Sequence, residues 1–236
     1  MIRSIAFDVF DTLYPTGKPK LFDAFRLAEQ QVMREEGIEF SMEEYWKAVE
    51  KTTREIQSPE WKNDKLKFPI VLLKNMEIQK EGLAQKIGVQ FGIVNKKYKG
   101  GQPEIFPDAR EIIPYLHQKK ILLSIISDTD EDWIRGQLKK DGLLEFFSEF
   151  YLSFQIGLGK GSGVPFQHFI EGMKKKGIAP DECAMIGDLS VDMEAKRFGM
   201  KTILYNPGGN PTSHYSYPPD YVIKNYAELK RLLKSD

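Results

Sequence analysis

Ile5-Ala6-Phe7-Asp8-Val9-Phe10-Asp11-Thr12-Leu13-Tyr14 is the stretch whose chemistry decides the fold, an apolar strand that runs into two carboxylates and a hydroxyl near the start of the chain. Ile2 to Phe7 suit burial on both faces, as in the central strands of parallel sheets, which place their chemistry just beyond the strands' carboxyl ends. Asp8 stands at that point. Taken alone, Asp8 or Asp11 would serve equally well to cap the next helix or close a turn. Three further polar residues follow short apolar runs: Ser127 after Ile121 to Ile126, Lys160 after Phe150 to Leu158, and Asp188 after Ala184 to Gly187. Strand ends of this kind converge on one edge of an α/β, doubly wound, mostly parallel Rossmann-like sheet.

The chain has 236 residues, with Lys plus Arg and Asp plus Glu at 34 each, so its formal net charge is zero. Bulk attraction to nucleic acid or to an anionic membrane is not expected from such a balance. Apolar runs such as Ile70 to Leu73 are far too short to span a bilayer, and strand-like sequence stands where a signal peptide would. A cytoplasmic protein is expected. Cys183 is the sole cysteine, and its neighbours Ala184, Met185 and Ile186 point to a buried strand thiol. His117, His168 and His214 are scattered without ligand spacing and imply no metal.

Tyr14 to Lys20, with Pro15, Gly17 and Pro19, reads as a linker. Helical spacing then recurs from Leu21 to Glu36, with Gly37 as terminator, and Ser41-Met42-Glu43-Glu44 forms a capping box for a second helix carrying Tyr45, Trp46 and Val49. Ser58-Pro59 opens a third segment that Pro69 should break or kink, and Glu77 to Tyr98 is a fourth. A mostly helical module over residues 16–101 is thus expected inside a core made of 1–15 and 102–236. Trp46, Trp61, Phe68 and Tyr98 are its candidate pocket-facing aromatics, though amphipathic helices also need such residues for packing.

After Ser127, Asp128-Thr129-Asp130 suit the cap of a helix whose N-terminus would favour an anion. Gly157-Leu158-Gly159-Lys160-Gly161-Ser162-Gly163 fails both nucleotide-loop patterns. A P-loop needs Gly at 154 and Ser or Thr at 161, where Phe154 and Gly161 stand, and the dinucleotide fingerprint needs Gly at 162. On its own, Lys160 would be an ordinary solvated lysine. Helices are expected over Pro165 to Lys176, Val191 to Phe198 and Tyr226 to Leu233, and strands over Thr202 to Tyr205 and Tyr221 to Ile223. Asn206 to Pro219 reads as an exposed loop at the site edge.

Taken in order, four motifs resemble those of the haloacid dehalogenase (HAD) superfamily over nearly the whole chain. Asp8-Val9-Phe10-Asp11-Thr12-Leu13 is similar to the first, Ile125-Ile126-Ser127-Asp128 to the second, Lys160 to the third, and Gly187-Asp188 followed by Asp192 to the fourth. The resemblance implies a helical cap of the first type between motifs one and two, closing over the active site. It implies Asp8 as nucleophile, Ser127 and Lys160 as catalytic partners, and phosphate contacts from Asp11, Thr12, Ser127, Asp128 and Lys160. It also implies Mg2+ held by Asp8, the backbone carbonyl of Phe10, Asp188 and Asp192. The substrate implied is a small phosphorylated metabolite, hydrolysed through an aspartyl-phosphate; oligomeric state and substrate identity are not legible.

Phe10 departs from the phosphatase pattern, in which a second Asp two residues after the nucleophile protonates the leaving group. Losing such help typically costs ~10²- to 10⁴-fold in rate. An aromatic residue here resembles the 2-haloacid dehalogenases, which attack carbon without a metal, whereas Asp188 with Asp192 resembles the acidic, metal-binding phosphatase pattern. A third possibility is a non-catalytic member that binds a phosphorylated ligand or a partner.

Overall fold

The computed structural model describes residues 1–16, 21–56, 66–98, 103–129, 131–213 and 215–235. Six strands form one sheet: β1 (Ser4–Phe7), β2 (Leu122–Ser127), β3 (Phe147–Leu152), β4 (Cys183–Gly187), β5 (Lys201–Tyr205) and β6 (Tyr221–Ile223). Their order is β3-β2-β1-β4-β5-β6, and every neighbouring pair is parallel. The doubly wound α/β sheet expected from the apolar runs is therefore present. The chain winds outward from β1 to β3, then crosses back to β4, so the order reverses between β1 and β4. Such a switch point leaves a crevice beyond the strand ends. Phe7 is level with both Ile125 and Ile186, so the residues following the three central strands emerge side by side.

Between β1 and β2 lie α1 (Leu21–Glu35), α2 (Met42–Glu55), α3 (Lys67–Asn75) and α4 (Leu83–Tyr98). They enclose an apolar core of their own, built on Met33, Tyr45, Val49, Leu72, Leu83 and Ile87. Gly37, at φ 72°, lets Ile38 N–H reach back to the Met33 carbonyl and ends α1. Ser41 opens α2 as a reciprocal cap: its Oγ accepts from Glu44 N at 3.1 Å, and the Glu44 carboxylate accepts from Ser41 N at 3.0 Å.

Two expectations for this region are corrected. Pro69 lies in the first turn of α3 and does not break it, because amides there have no intrahelical partner to lose. The fourth helix begins at Leu83, not Glu77, since Glu77 (φ 57°) and Gly82 (φ 74°) turn the chain first. Trp46 and Phe68 pack against the insert's core, Phe68 with the Arg26 guanidinium 4.1 Å above its ring. Trp61 and the Tyr98 side chain lie outside what is described.

The sheet is covered on both faces. One face packs on α5 (Pro107–Gln118) and α6 (Glu131–Lys140), through residues such as Ile112, Leu116, Ile134 and Leu138. A correction also applies to the third apolar run. β3 stops at Leu152, the run continues as the single turn α7 (Ser153–Ile156), and Gly157 (φ 80°) leads toward a 3-10 turn at Lys160–Ser162. The opposite face packs on α8 (Val164–Lys175) through Phe166, Phe169 and Met173. Cys183 is buried there, as expected of a strand thiol, and burial pushes its pKa up to about 12. After β4 come the short helix α9 (Ser190–Met193), a 3-10 stretch at Glu194–Phe198, and finally α10 (Tyr226–Ser235), which joins the first face. Among the described residues no helix is long and apolar enough to cross a membrane.

The insert's core contains a charged group. Glu29 is fully buried, 2.9 Å from Arg26 and accepting 2.7 Å from the Tyr45 hydroxyl. Burial lifts its pKa from 4.5 to about 7, against the pull of Arg26 and Tyr45. Between those values the folded chain keeps a proton that the unfolded chain has released. Stability is accordingly full below pH 4.5 and falls as pH rises through 7, by on the order of 3 kcal/mol at most. Urea denaturation across this range should show that loss, and Glu29→Gln should flatten it.

Candidate active site

The loop after β1 is folded on itself before it meets anything else. Asp8 N–H continues the sheet by donating to the Ile186 carbonyl at 2.8 Å; Leu13 and Tyr14 N–H both return to the Val9 carbonyl, at 2.8 and 2.9 Å. Asp11 takes a left-handed φ of 56°, which Asp tolerates better than most residues. Both Asp11 oxygens accept from Thr16, at 2.9 Å from its N–H and 2.6 Å from its hydroxyl. From the far end of the chain, the buried Tyr226 hydroxyl donates to the Thr12 carbonyl at 2.9 Å. That contact, more than two hundred residues away in sequence, has no signature in the motifs.

Lys160 is the centre of the site. Its Nζ lies 2.7 Å from Asp8 Oδ1 and 2.5 Å from Asp192 Oδ1, and all three side chains are almost wholly buried. The lysine's backbone is fixed too, since its N–H donates to Asp128 Oδ1 at 3.0 Å. Asp192 Oδ2 in turn accepts from Leu189 N at 3.0 Å. Gly187 makes this possible: a Cβ there would fall 2.2 Å from the Asp192 carboxyl. Only a residue without a side chain lets Asp192 fold back against the end of β4.

Asp188 completes an acidic group, for one oxygen each of Asp8, Asp188 and Asp192 lies within 4.8 Å of the others. Thr12 Oγ1 approaches Asp188 Oδ1 at 3.5 Å. Ser127 is buried at the end of β2, level with Leu152. The sequence-predicted residues Asp8, Lys160, Asp188 and Asp192 are thus brought together, with Thr12 and Asp128 in contact with them. Asp11 is turned toward Thr16. The Phe10 ring packs 4.9 Å from the Trp133 ring, which also meets Tyr14 at 5.9 Å.

Burial dominates the electrostatics. It pushes the Asp192 pKa up to about 6, assisted by the Asp8 charge and opposed by Lys160. Burial also works against the Lys160 ammonium, but Asp192, Asp8 and Asp128 outweigh it and hold the lysine protonated well above its ordinary range. Three carboxylates facing one ammonium leave a surplus of negative charge lined with hard oxygens. Such a donor set fits a divalent cation that prefers oxygen ligands.

A carboxylate–lysine site at the switch point of a doubly wound parallel sheet defines the class: an α/β enzyme acting at the carboxyl ends of its central strands. The chain belongs to the haloacid dehalogenase-like hydrolases, whose family model matches residues 2–197. It is 27% identical over 214 residues to the glyceraldehyde 3-phosphate phosphatase of Methanopyrus kandleri, covering 88% of this chain and 85% of that one. To the protein of the same name from Methanothermobacter thermautotrophicus it is 29% identical over 211 residues, covering 87% and 86%. The solved 2-haloacid dehalogenase of Pseudomonas syringae pv. tomato shares the fold, with a TM-score of 0.57 and 22% identity over 100% of this chain and 99% of that one.

Removing the central cation isolates the buried carboxylates. Lys160→Met should cost about 3–5 kcal/mol at pH 7, as breaking buried ion pairs does. With the lysine's opposing charge gone, burial would raise the Asp192 carboxyl further, so the deficit should shrink as pH is lowered toward 5. Urea denaturation of both proteins at the two pH values checks this.

Proposed function

We propose that the protein is a Mg2+-dependent phosphatase of a small phosphorylated metabolite, working through an aspartyl-phosphate on Asp8. The observation that carries the proposal is Lys160 held between Asp8 and Asp192 inside an acidic group that includes Asp188. A dehalogenase attacking neutral carbon has no use for that surplus of negative charge, whereas an anionic nucleophile meeting an anionic phosphate requires added positive charge. The names of the two curated relatives make glyceraldehyde 3-phosphate the first substrate to try.

Asp8 would hold the metal together with Asp188 and the Phe10 backbone carbonyl, with Asp192 behind them. Bound there, Mg2+ supplies charge neutralisation for the phosphoryl group. The Asp8 carboxylate attacks phosphorus, the bond to the leaving oxygen breaks, and water then cleaves the aspartyl-phosphate to release inorganic phosphate and restore Asp8. Lys160 balances the negative charge that gathers on the phosphoryl oxygens. Ser127, Thr12 and the loop at Asp128 are assigned to phosphate contact. Asp11, engaged by Thr16 through its side chain and by the Tyr14 carbonyl through its N–H, is assigned to hold the turn.

The helices of 16–101 act in this scheme as a cap on the core of 1–15 and 102–236. Its support is close contact: a Cβ at Gly161, next to Lys160, would fall 2.3 Å from the Thr53 carbonyl of α2. A lid that near the site excludes water and selects substrate. Phe10 offers no proton to a leaving alcohol, so the rate should drop steeply as the leaving group becomes more basic.

Release of phosphate from p-nitrophenyl phosphate and glyceraldehyde 3-phosphate tests the proposal. Activity should require Mg2+, vanish in EDTA, and fall by at least about 10³-fold in Asp8→Asn. Halide release from chloroacetate, independent of EDTA and without phosphate release, would transfer the assignment to the dehalogenase reaction that the aromatic Phe10 favours.

A further inference from the structure

We infer that Arg54, at the last turn of α2, is a positioning residue: an ionic latch that seats the insert on the catalytic turn and holds it closed over bound substrate. The inference rests on the phosphatase assignment for its kinetic part only. Arg54 Nε is hydrogen-bonded to Glu194, and Arg54 Nη2 donates to Glu50 Oε1 at 2.8 Å. Glu194 is 1% exposed and also accepts from Arg197 Nη1 at 2.8 Å. Glu50 Oε1 accepts a second bond, from the Ser216 backbone N–H at 2.9 Å, and the Arg54 guanidinium lies 5.7 Å from the centre of the Tyr217 ring.

One guanidinium therefore joins three separate elements. Glu50 and Arg54 belong to the insert, Glu194 to the turn after α9, and Ser216 with Tyr217 to the loop between β5 and β6. Each is a short step from the site. Glu194 follows Asp192 by two residues, and Ser216 follows Tyr215, whose surroundings include Asp188 and Asp192 of the core and Asp23 and Glu50 of the insert. Thr53, beside Arg54, covers Gly161, beside Lys160. The end of α2 thus rests on the backbone that carries Lys160 and Asp192.

The chemistry of the joint suits repeated opening. The side chain of Arg54 is 32% exposed, so water reaches it as the contact parts, and Glu194 keeps Arg197 as its partner. Ionic screening would not loosen a joint of apolar side chains, whereas partly exposed ion pairs weaken as ionic strength rises. Arginine is required because its planar fork reaches two carboxylates at once, which a lysine ammonium at the end of a flexible stem does less well.

Two measurements test the latch. In Arg54→Gln, backbone amides of 42–55 and 190–198 should exchange with solvent about tenfold faster while those of β1 and β2 are unchanged. With p-nitrophenyl phosphate, KM should rise about tenfold with kcat changed less than about threefold, Arg54→Lys should recover part of the loss, and the native rise of KM with salt should disappear. Glu194→Gln, which breaks the joint from the core side, should reproduce both effects and serves if Arg54→Gln fails to fold. Unchanged exchange in 42–55 overturns the latch whatever the enzyme hydrolyses. Faster exchange with KM unmoved overturns its role in retaining substrate, and an inactive native enzyme with the exchange effect intact would tell against the phosphatase assignment alone.

Discussion

The structure depends on a lysine ammonium buried among carboxylates. Lys160 is kept charged against its burial by Asp8 and Asp192 within hydrogen-bonding distance and by Asp128 nearby, and Lys160 in turn opposes the upward pull of burial on Asp192. Their three backbones come from three places: the end of β1, the loop beyond β3 and the turn beyond β4. None of the three charges is tolerable in that position alone, so their mutual satisfaction ties the register of the central strands to the placement of a loop. Gly187 and Asp128 are the local devices that make the arrangement fit, one by vacating space for a carboxylate and the other by anchoring the lysine's backbone.

The insert stands in a different relation to the core. It has its own apolar interior and its own capped helices, and a polar contact at the end of α2 joins it to the catalytic elements. Apolar packing sets each half internally, while charge joins them near the site. Such a division suits the cap role proposed for the insert, since a partly exposed ionic contact responds to nearby charge and to ionic strength.

Much of the fold was legible in the residues because its signals are local. The runs ending at Phe7, Ile126 and Gly187 are buried strands with polar residues just past them, and Ser41 with Glu44 is a cap that can be read from four residues. Where expectation and structure part, the cause is also local but conditional. Pro69 breaks a helix only beyond its first turn, and the mostly apolar run Phe150 to Leu158 changes from strand to helix at Ser153 because a one-turn helix and a strand can share that composition. At the site, the motif residues Asp8, Lys160, Asp188 and Asp192 could be named from spacing and resemblance. Tyr226 holding Thr12 and Arg54 meeting Glu194 could not, since each is an ordinary residue whose partner is set by tertiary packing, and Thr16 holding Asp11 depends on the left-handed turn at Asp11 that the sequence does not announce.

The bond from Tyr226 to the Thr12 carbonyl has a consequence for how the protein comes to exist. β1 is made first, but its neighbours β2 and β4 follow more than a hundred residues later, and the turn carrying Asp8 gains its last tie only when residue 226 is in place. Contacts so distant in sequence form late and slowly. During synthesis the apolar first strand therefore waits for its partners until the segments carrying β2, β4 and finally Tyr226 have emerged. The turn around Asp8 is thus among the last parts of the fold to be fixed, although the residues that form it are among the first to be made.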